Sequence, residues 1–324
     1  MRFGVGDFSE QRPPDSQSTH AQLYAELLDQ ATQIERAGLD SMWLSEHHFA
    51  EDGYMPSVIP IAAALLARTR GIVVATDRLA ASLHDPIRLG EDAIALDLLS
   101  GGRFILGLSL CYRREELAGF MVDPSRDEAN LESLVPALRA AFHGGPATAG
   151  GRTASVTPLP SSPQGPRLMI AADGERGAQR AARLADMMML DPTETWDAVD
   201  LAVEKFDRER RDGEGELVLF TYGGLSEAGP AAAWMQVEDG FRYMRHNYDR
   251  WMGREPTREI PPRHYRLLLG TPSEVAGQAL EYRRRYGDRA HLVLRCNYPG
   301  MAAAAVEAQI RLWGEAARLA REAV

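Results

Sequence analysis

The chain has 324 residues with 45% hydrophobic and 25% charged content, the balance of an ordinary soluble globular protein. A formal net charge of −10 argues against nucleic acid or an anionic membrane surface as the main partner. The cysteines, Cys111 and Cys296, lie far apart without metal-ligand spacing, so neither a disulfide framework nor a zinc or other metal site is expected.

Arg2 to Gly6 is a strand pattern with no basic-then-apolar leader before it, and no apolar run approaches membrane-spanning length; a cytoplasmic location is expected. A polar loop with Pro13-Pro14 leads into a helix over about Thr19 to Ala37, with Leu23, Leu27, Ala31 and Ile34 at helical spacing. Gly38 falls where a left-handed C-cap would end it. Ser41-Met42-Trp43-Leu44 reads as the second strand and delivers Glu46-His47-His48-Phe49 at its C-terminal end. A helix over 57–69 and a β-branched strand over 71–75 follow. Asp85-Pro86 opens a helix that stops at Ser100-Gly101-Gly102, and residues 103–108 form strand four. Residues 143–166, rich in Gly, Pro, Ser and Thr, read as a long connection with a short hairpin. Strands over 167–171, 186–190 and 216–222 alternate with helices over 177–184 and 195–210. After the long aromatic stretch 223–263 comes strand eight, 290–295, and a final amphipathic helix. This alternation predicts an α/β fold, a single (β/α)8 TIM barrel spanning residues 1–324 with a lid-like excursion over 223–263 after strand seven.

Active sites of such barrels lie at the C-terminal ends of the strands, which is where the Glu-His-His run falls. His47 is the candidate catalytic acid/base, because an imidazole titrates near neutrality and can carry a proton. Glu46 and His48 either hold it by hydrogen bonds or are satisfied buried polar groups. His84 reads as a support for the turn before Asp85-Pro86, and Arg103 as an ion-pair partner of Glu91 or Asp97.

Three stretches together resemble the bacterial luciferase-like flavin monooxygenase family. They are Glu46-His47-His48-Phe49; His84-Asp85-Pro86-Ile87-Arg88-Leu89 running into Asp97-Leu98-Leu99-Ser100-Gly101-Gly102-Arg103-Phe104, Gly107 and Tyr112-Arg113-Arg114-Glu115-Glu116; and Leu294-Arg295-Cys296-Asn297-Tyr298-Pro299-Gly300-Met301. The resemblance implies a barrel that uses reduced flavin mononucleotide (FMN) from a separate flavin reductase. It also implies oxygen activation as a C4a-peroxyflavin, a small-molecule substrate and a homodimer. Such chemistry needs a pocket from which water is excluded. His47 matches the histidine that acts near the flavin in that family.

The cofactor-binding candidates are Asp77, Arg78, Leu110, Cys111, Tyr112, Ala172, Asp173, Gly174, Glu175 and Arg176, and several depart from the family pattern. Leu110 stands where an arginine helps hold the flavin phosphate. Asp173 and Glu175 stand where small residues and a hydroxyl would form a phosphate seat at a helix N-terminus, with Arg176 or Arg180 as compensation. Asp77-Arg78 replaces small residues against the ring, and Cys111 also reads as a small apolar filler. A relocated phosphate, a deazaflavin, a flavin-free barrel that binds or cyclises an apolar substrate, and a non-catalytic binding protein are the alternatives. The excursion, with Trp234, Phe241, Tyr243 and His246 as substrate contacts, reads as a lid over a bulky, largely apolar substrate; the other reading is a helix pair packed on the barrel rim or a dimer contact.

Overall fold

The computed structural model describes residues 1–210, 213–255 and 266–323. Its barrel strands, numbered in chain order, are β1 (Arg2–Phe8), β2 (Ser41–Leu44), β3 (Val73–Thr76), β4 (Phe104–Ser109), β5 (Arg167–Ala172), β6 (Met187–Leu190), β7 (Glu216–Leu225) and β8 (Ala290–Arg295). Each pairs in parallel with the next, and β8 returns to β1, so among the described residues eight parallel strands close a barrel. The expected TIM barrel is the observed one. Its helices are α1 (His20–Arg36), α2 (Val58–Arg68), α3 (Pro86–Ser100), α4 (Arg114–Gly119), α5 (Asp127–Phe142), α6 (Gly174–Leu184), α7 (Trp196–Glu209), α8 (Pro230–Trp251), α9 (Pro272–Tyr286) and α10 (Ala303–Glu322). The hairpin expected within 143–166 forms as Pro146–Ala149 against Arg152–Ser155.

Local chemistry sets the ends of these elements. Thr19 and Thr271 each close a capping box on the residue three positions on, Gln22 and Glu274. Asp85 accepts from the backbone of Ile87 and Arg88 and so starts α3. Gly101, in the left-handed region at φ +67°, ends it. Arg103 makes no ion pair with Glu91 or Asp97, contrary to expectation. Its guanidinium donates to the carbonyls of Ser100, Ile72, Leu66 and Thr69, tying α2 and α3 to the strand ends. Glu91 instead lies near Arg88, and Asp97 accepts from the backbone of Ser161.

Two apolar layers follow from strand alternation. The outer one packs strands against helices. The inner one fills the barrel with Trp43, Ala75, Ile105, Met169, Met187, Val218, Phe220 and Val293. Gly6 on β1 makes room for Trp43: a Cβ there would lie 2.9–3.0 Å from Val293, Phe220 and Trp43. Strand seven is expected to end at Tyr222, but β7 runs on to Leu225, where Leu268–Gly270 pairs with it, and α9 is a helix not expected from the sequence. Of the expected excursion, 226–255 is described and carries the single long helix α8, while 256–263 lies outside the described residues. Among the described residues no helix is long and apolar enough to cross a membrane, and no cluster of three or more potential ligands could hold a metal.

Candidate active site

At the C-terminal mouth of the barrel, His47 follows β2 and is 9% exposed. Its Nδ1 lies 2.8 Å from Glu116 Oε1, and its Nε2 lies 2.7 Å from the Tyr112 hydroxyl. Glu116, from the first turn of α4, also accepts from the His48 backbone N–H at 2.8 Å and from Arg113 at 3.1 Å. Cys111 Sγ approaches its other oxygen at 3.4 Å. Burial pushes the Glu116 carboxyl up, but the contacts from His47, the His48 N–H and Arg113 outweigh it and hold the group below its ordinary value. An ionised carboxylate only accepts, so Nδ1 of His47 carries a hydrogen, and the Tyr112 hydroxyl is the hydrogen-bond partner of Nε2. Burial of the hydroxyl, reinforced by nearby Tyr248, pushes Tyr112 upward, so it stays a phenol.

Four rings surround the imidazole, with centroids at 4.7 Å (Tyr54), 5.0 Å (Trp251), 5.2 Å (Tyr112) and 6.3 Å (Tyr248). Arg113 stacks over Trp251 at 4.3 Å. Below them, Asp7 accepts from Tyr248 at 3.0 Å and from Arg295, while Tyr54 donates to Ser45 at 2.6 Å and meets the Tyr248 hydroxyl at 3.0 Å. This network fixes the end of α8 to β1 and β8.

Of the two readings of Glu46 and His48, hydrogen bonds to His47 are not found, and Glu46 is a buried polar group with partners elsewhere. Glu46 turns away toward the loop after β3, where His84 Nε2 lies at 3.1 Å and His48 Nε2 at 3.6 Å, an ion-pair distance too long for a hydrogen bond. Burial pushes the Glu46 carboxyl up, but His48 and His84 outweigh it and hold it near about 2. The reason is alternation: consecutive side chains leaving a strand point to opposite sides, so Glu46 and His47 diverge. The histidine's partner is therefore Glu116. Its only signal in the sequence was its place in the Tyr112–Glu116 run. Arg295 lay in the third quoted stretch and Tyr248 and Trp251 among the excursion's aromatics, while Asp7 and Tyr54 had no signal.

Along α8, Val237, Phe241, Met244 and Tyr248 recur at helical spacing and enter the inner cluster. Trp234 packs on Phe241 at 5.4 Å. Tyr243 instead donates to Asp52 at 3.0 Å, on the loop beside the mouth, and His246 is exposed on the opposite side of the helix, away from the inner cluster. From this helix Trp251 and Tyr248 reach His47, at 5.0 and 6.3 Å between ring centroids.

The family model for luciferase-like monooxygenases matches residues 1–289. The chain belongs to the luciferase-like monooxygenase family. It is 32% identical over 134 residues to the alkanal monooxygenase alpha chain of Aliivibrio fischeri, a match that covers 41% of this chain and only 37% of that protein. Among solved structures, monooxygenase RslO1 from Streptomyces bottropensis superposes with a TM-score of 0.82 at 22% identity, covering 97% of this chain and 98% of that one. The oxygenating constituent of 3,6-diketocamphane monooxygenase from Pseudomonas putida, solved in complex with FMN, does so with 0.77 at 14% identity, covering 96% of each. These likenesses fix the fold.

The cofactor candidates of this luciferase-like chain divide into three groups. Asp77, Arg78, Tyr112 and Asp173 gather at the mouth, where Arg78 is drawn upward by the carboxylates of Asp173, Asp77 and Asp191 against the opposing effect of burial. Cys111 is buried against Glu116 beside them. Leu110 and Ala172 pack into the outer apolar layer between strands and helices, and so do not face the mouth as expected. Glu175 and Arg176 are exposed, and Gly174 opens α6 at φ +66°.

A flavin mononucleotide would bring a phosphate, and the α6 N-terminus after β5 is the terminus expected to seat it. That terminus does not fit one. Glu175 is paired with Lys205 at 3.2 Å, and Glu128 engages both Arg176 and Arg180, so the expected compensation by either arginine is lost.

Proposed function

We propose that this chain is an oxidoreductase of the monooxygenase type, acting on a largely apolar small molecule at the barrel mouth with a flavin-type cofactor. The observation that carries the reading is His47, held between Glu116 and Tyr112 at the C-terminal end of β2, in a chain whose family match spans 1–289. The redox chemistry belongs to the cofactor. What this chain contributes is proton handling, orientation and the exclusion of water.

Glu116 fixes the imidazole in one tautomer and orientation. Nε2 is hydrogen-bonded to the Tyr112 hydroxyl, so a proton can pass between the two without rearrangement of either partner. Tyr54, Tyr248 and Trp251 shield the ring from water, which favours retention of a reactive intermediate over its hydrolysis. Support for an apolar substrate comes from the aromatic lining and from Val237, Phe241 and Met244 behind it. The family resemblance further supports a separate flavin reductase as electron source and a homodimeric assembly, which light scattering would test.

The test of the reading is His47→Ala. With a reductase and an apolar aldehyde or ketone panel, the variant is expected to keep its fold and its flavin affinity. Product formation should fall by about 10²–10⁴-fold as oxygen consumption is diverted to peroxide. Unchanged yield of product per oxygen consumed would remove His47 from the reaction.

A further inference from the structure

A cavity of about 50 Å³ lies apart from the mouth, between α1, the chain leaving β1 and the loop after β8, and none of the residues around His47 lines it. Leu23, Glu26 and Gln30 face it from α1, at spacings of three and four that put them on one side of the helix. Glu10 faces it from just beyond β1, with a left-handed backbone at φ +53° that a non-glycine residue rarely adopts. Asn297, after β8, completes the polar wall, and Val306 of α10 joins Leu23 in the apolar part. Ser9, on the same wall, links the cavity to the mouth, since Arg295 donates to Ser9 Oγ at 3.1 Å and to the Tyr248 hydroxyl at 3.2 Å.

The polar groups of this wall are not spent on one another. Gln30 is only 8% exposed, yet its carboxamide has no hydrogen-bond partner among the described residues and opens into the cavity. Asn297 Oδ1 is likewise buried without a partner. Neither Glu10 nor Glu26 is ion-paired or hydrogen-bonded to another described residue. Burying polar groups without partners is costly, so two carboxylates and two carboxamides around one space call for a positively charged occupant rich in donors. Burial, with Glu26, pushes the Glu10 carboxyl up to about 8 against the pull of Arg295, and a cation beside it would draw it back. A metal ion fits this wall less well, because among the described residues no three His, Cys, Asp or Glu side chains gather to hold one. Room sets the size of the occupant. A cavity of about 150 Å³ accepts benzene, so one of about 50 Å³ admits an ammonium head with one or two methylenes and excludes an aromatic ring.

We propose that this cavity is a binding site for a primary ammonium group on a short aliphatic stem, its three N–H groups shared among the oxygens of Glu10, Glu26, Gln30 and Asn297. Isothermal titration calorimetry of the full chain at fixed ionic strength, with ethylammonium as the probe, tests it. Ethylammonium should bind saturably at one site per chain. Tetramethylammonium, with the same charge but no N–H donor, should not, and neither should calcium. Glu26→Gln removes a charged acceptor and should weaken ethylammonium by about ten-fold or more. Gln30→Met keeps the length of the side chain and removes its acceptor, for a loss of about three- to ten-fold. Circular dichroism and thermal melting verify that each variant is folded. Absence of saturable ethylammonium binding to the wild type overturns the proposal, as does equal binding of tetramethylammonium or an unchanged affinity in both folded variants. Calcium that displaces ethylammonium, and is itself lost in Glu26→Gln, overturns it by making this a metal site. Each of these outcomes leaves the oxidoreductase reading untouched, because no group around His47 lines the cavity.

Discussion

Removing the Glu116 carboxylate tests the organisation of the site most directly. Its side chain is 3% exposed and that of Arg113 is 4% exposed, so the pair is held away from screening solvent. Glu116→Ala deletes the acceptor for His47 Nδ1, the His48 N–H and Arg113 together, leaving the guanidinium with the His48 carbonyl at 2.7 Å and the Trp251 face. Breaking a buried ion pair from one side costs about 3–5 kcal/mol, and that is the expected loss in urea unfolding. Glu116→Gln keeps an amide oxygen for His47 and His48 but lacks the charge. Charged hydrogen bonds contribute about 1.5–3 kcal/mol against about 0.5–1.5 for neutral ones, so the expected loss is about 1–3 kcal/mol. In the product assay the Gln variant should retain substrate affinity and lose turnover, because an amide can turn either its oxygen or its NH2 group to Nδ1 and so no longer holds His47 in a single tautomer. A Glu116→Ala protein within about 1 kcal/mol of the wild type would refute the assignment of Glu116 as the partner that organises the mouth.

Three further outcomes are expected. Glu46 has its folded pKa depressed from its ordinary 4.5 to about 2, so its stabilising contribution is present above 4.5 and lost as pH falls through about 2. Acid unfolding of Glu46→Gln should accordingly show a flatter stability curve between those limits, and an unchanged slope would contradict the pairing with His84 and His48. Arg295→Met strands the buried Asp7 carboxylate and should lower stability by about 3–5 kcal/mol, with Tyr248→Phe costing only about 0.5–1.5 kcal/mol, both read by denaturant titration. Trp251→Ala removes a ring from His47 and a cation–π contact of about 0.5–2 kcal/mol. It should raise peroxide release per oxygen consumed, and equal coupling would show that Trp251 does not shield the site.

The barrel was legible because its signals are local. Apolar runs such as Met187–Leu190 and Leu292–Leu294, glycine stops such as Gly101, and caps such as Asp85 each act within a few residues, so their order along the chain already carries the architecture. The placement of His47 at a strand's C-terminal end belongs to the same class. What surrounds His47 does not. Glu116 lies 69 residues away in sequence and Tyr112 lies 65, and only the closed barrel brings β2 and the loop after β4 to the same mouth. Local adjacency misled where it competed with geometry: Glu46 and His48 flank His47 in the chain, yet their side chains serve His84 and one another. Similarly, Asp173 and Glu175 were legible as acidic residues at the start of α6, whereas the pairing of Glu175 with Lys205 and of Glu128 with Arg176 and Arg180 comes from neighbouring helices. Periodicity encodes which face of an element is buried, but the partner across a barrel mouth depends on how eight strands close, a relation that no short stretch of sequence contains.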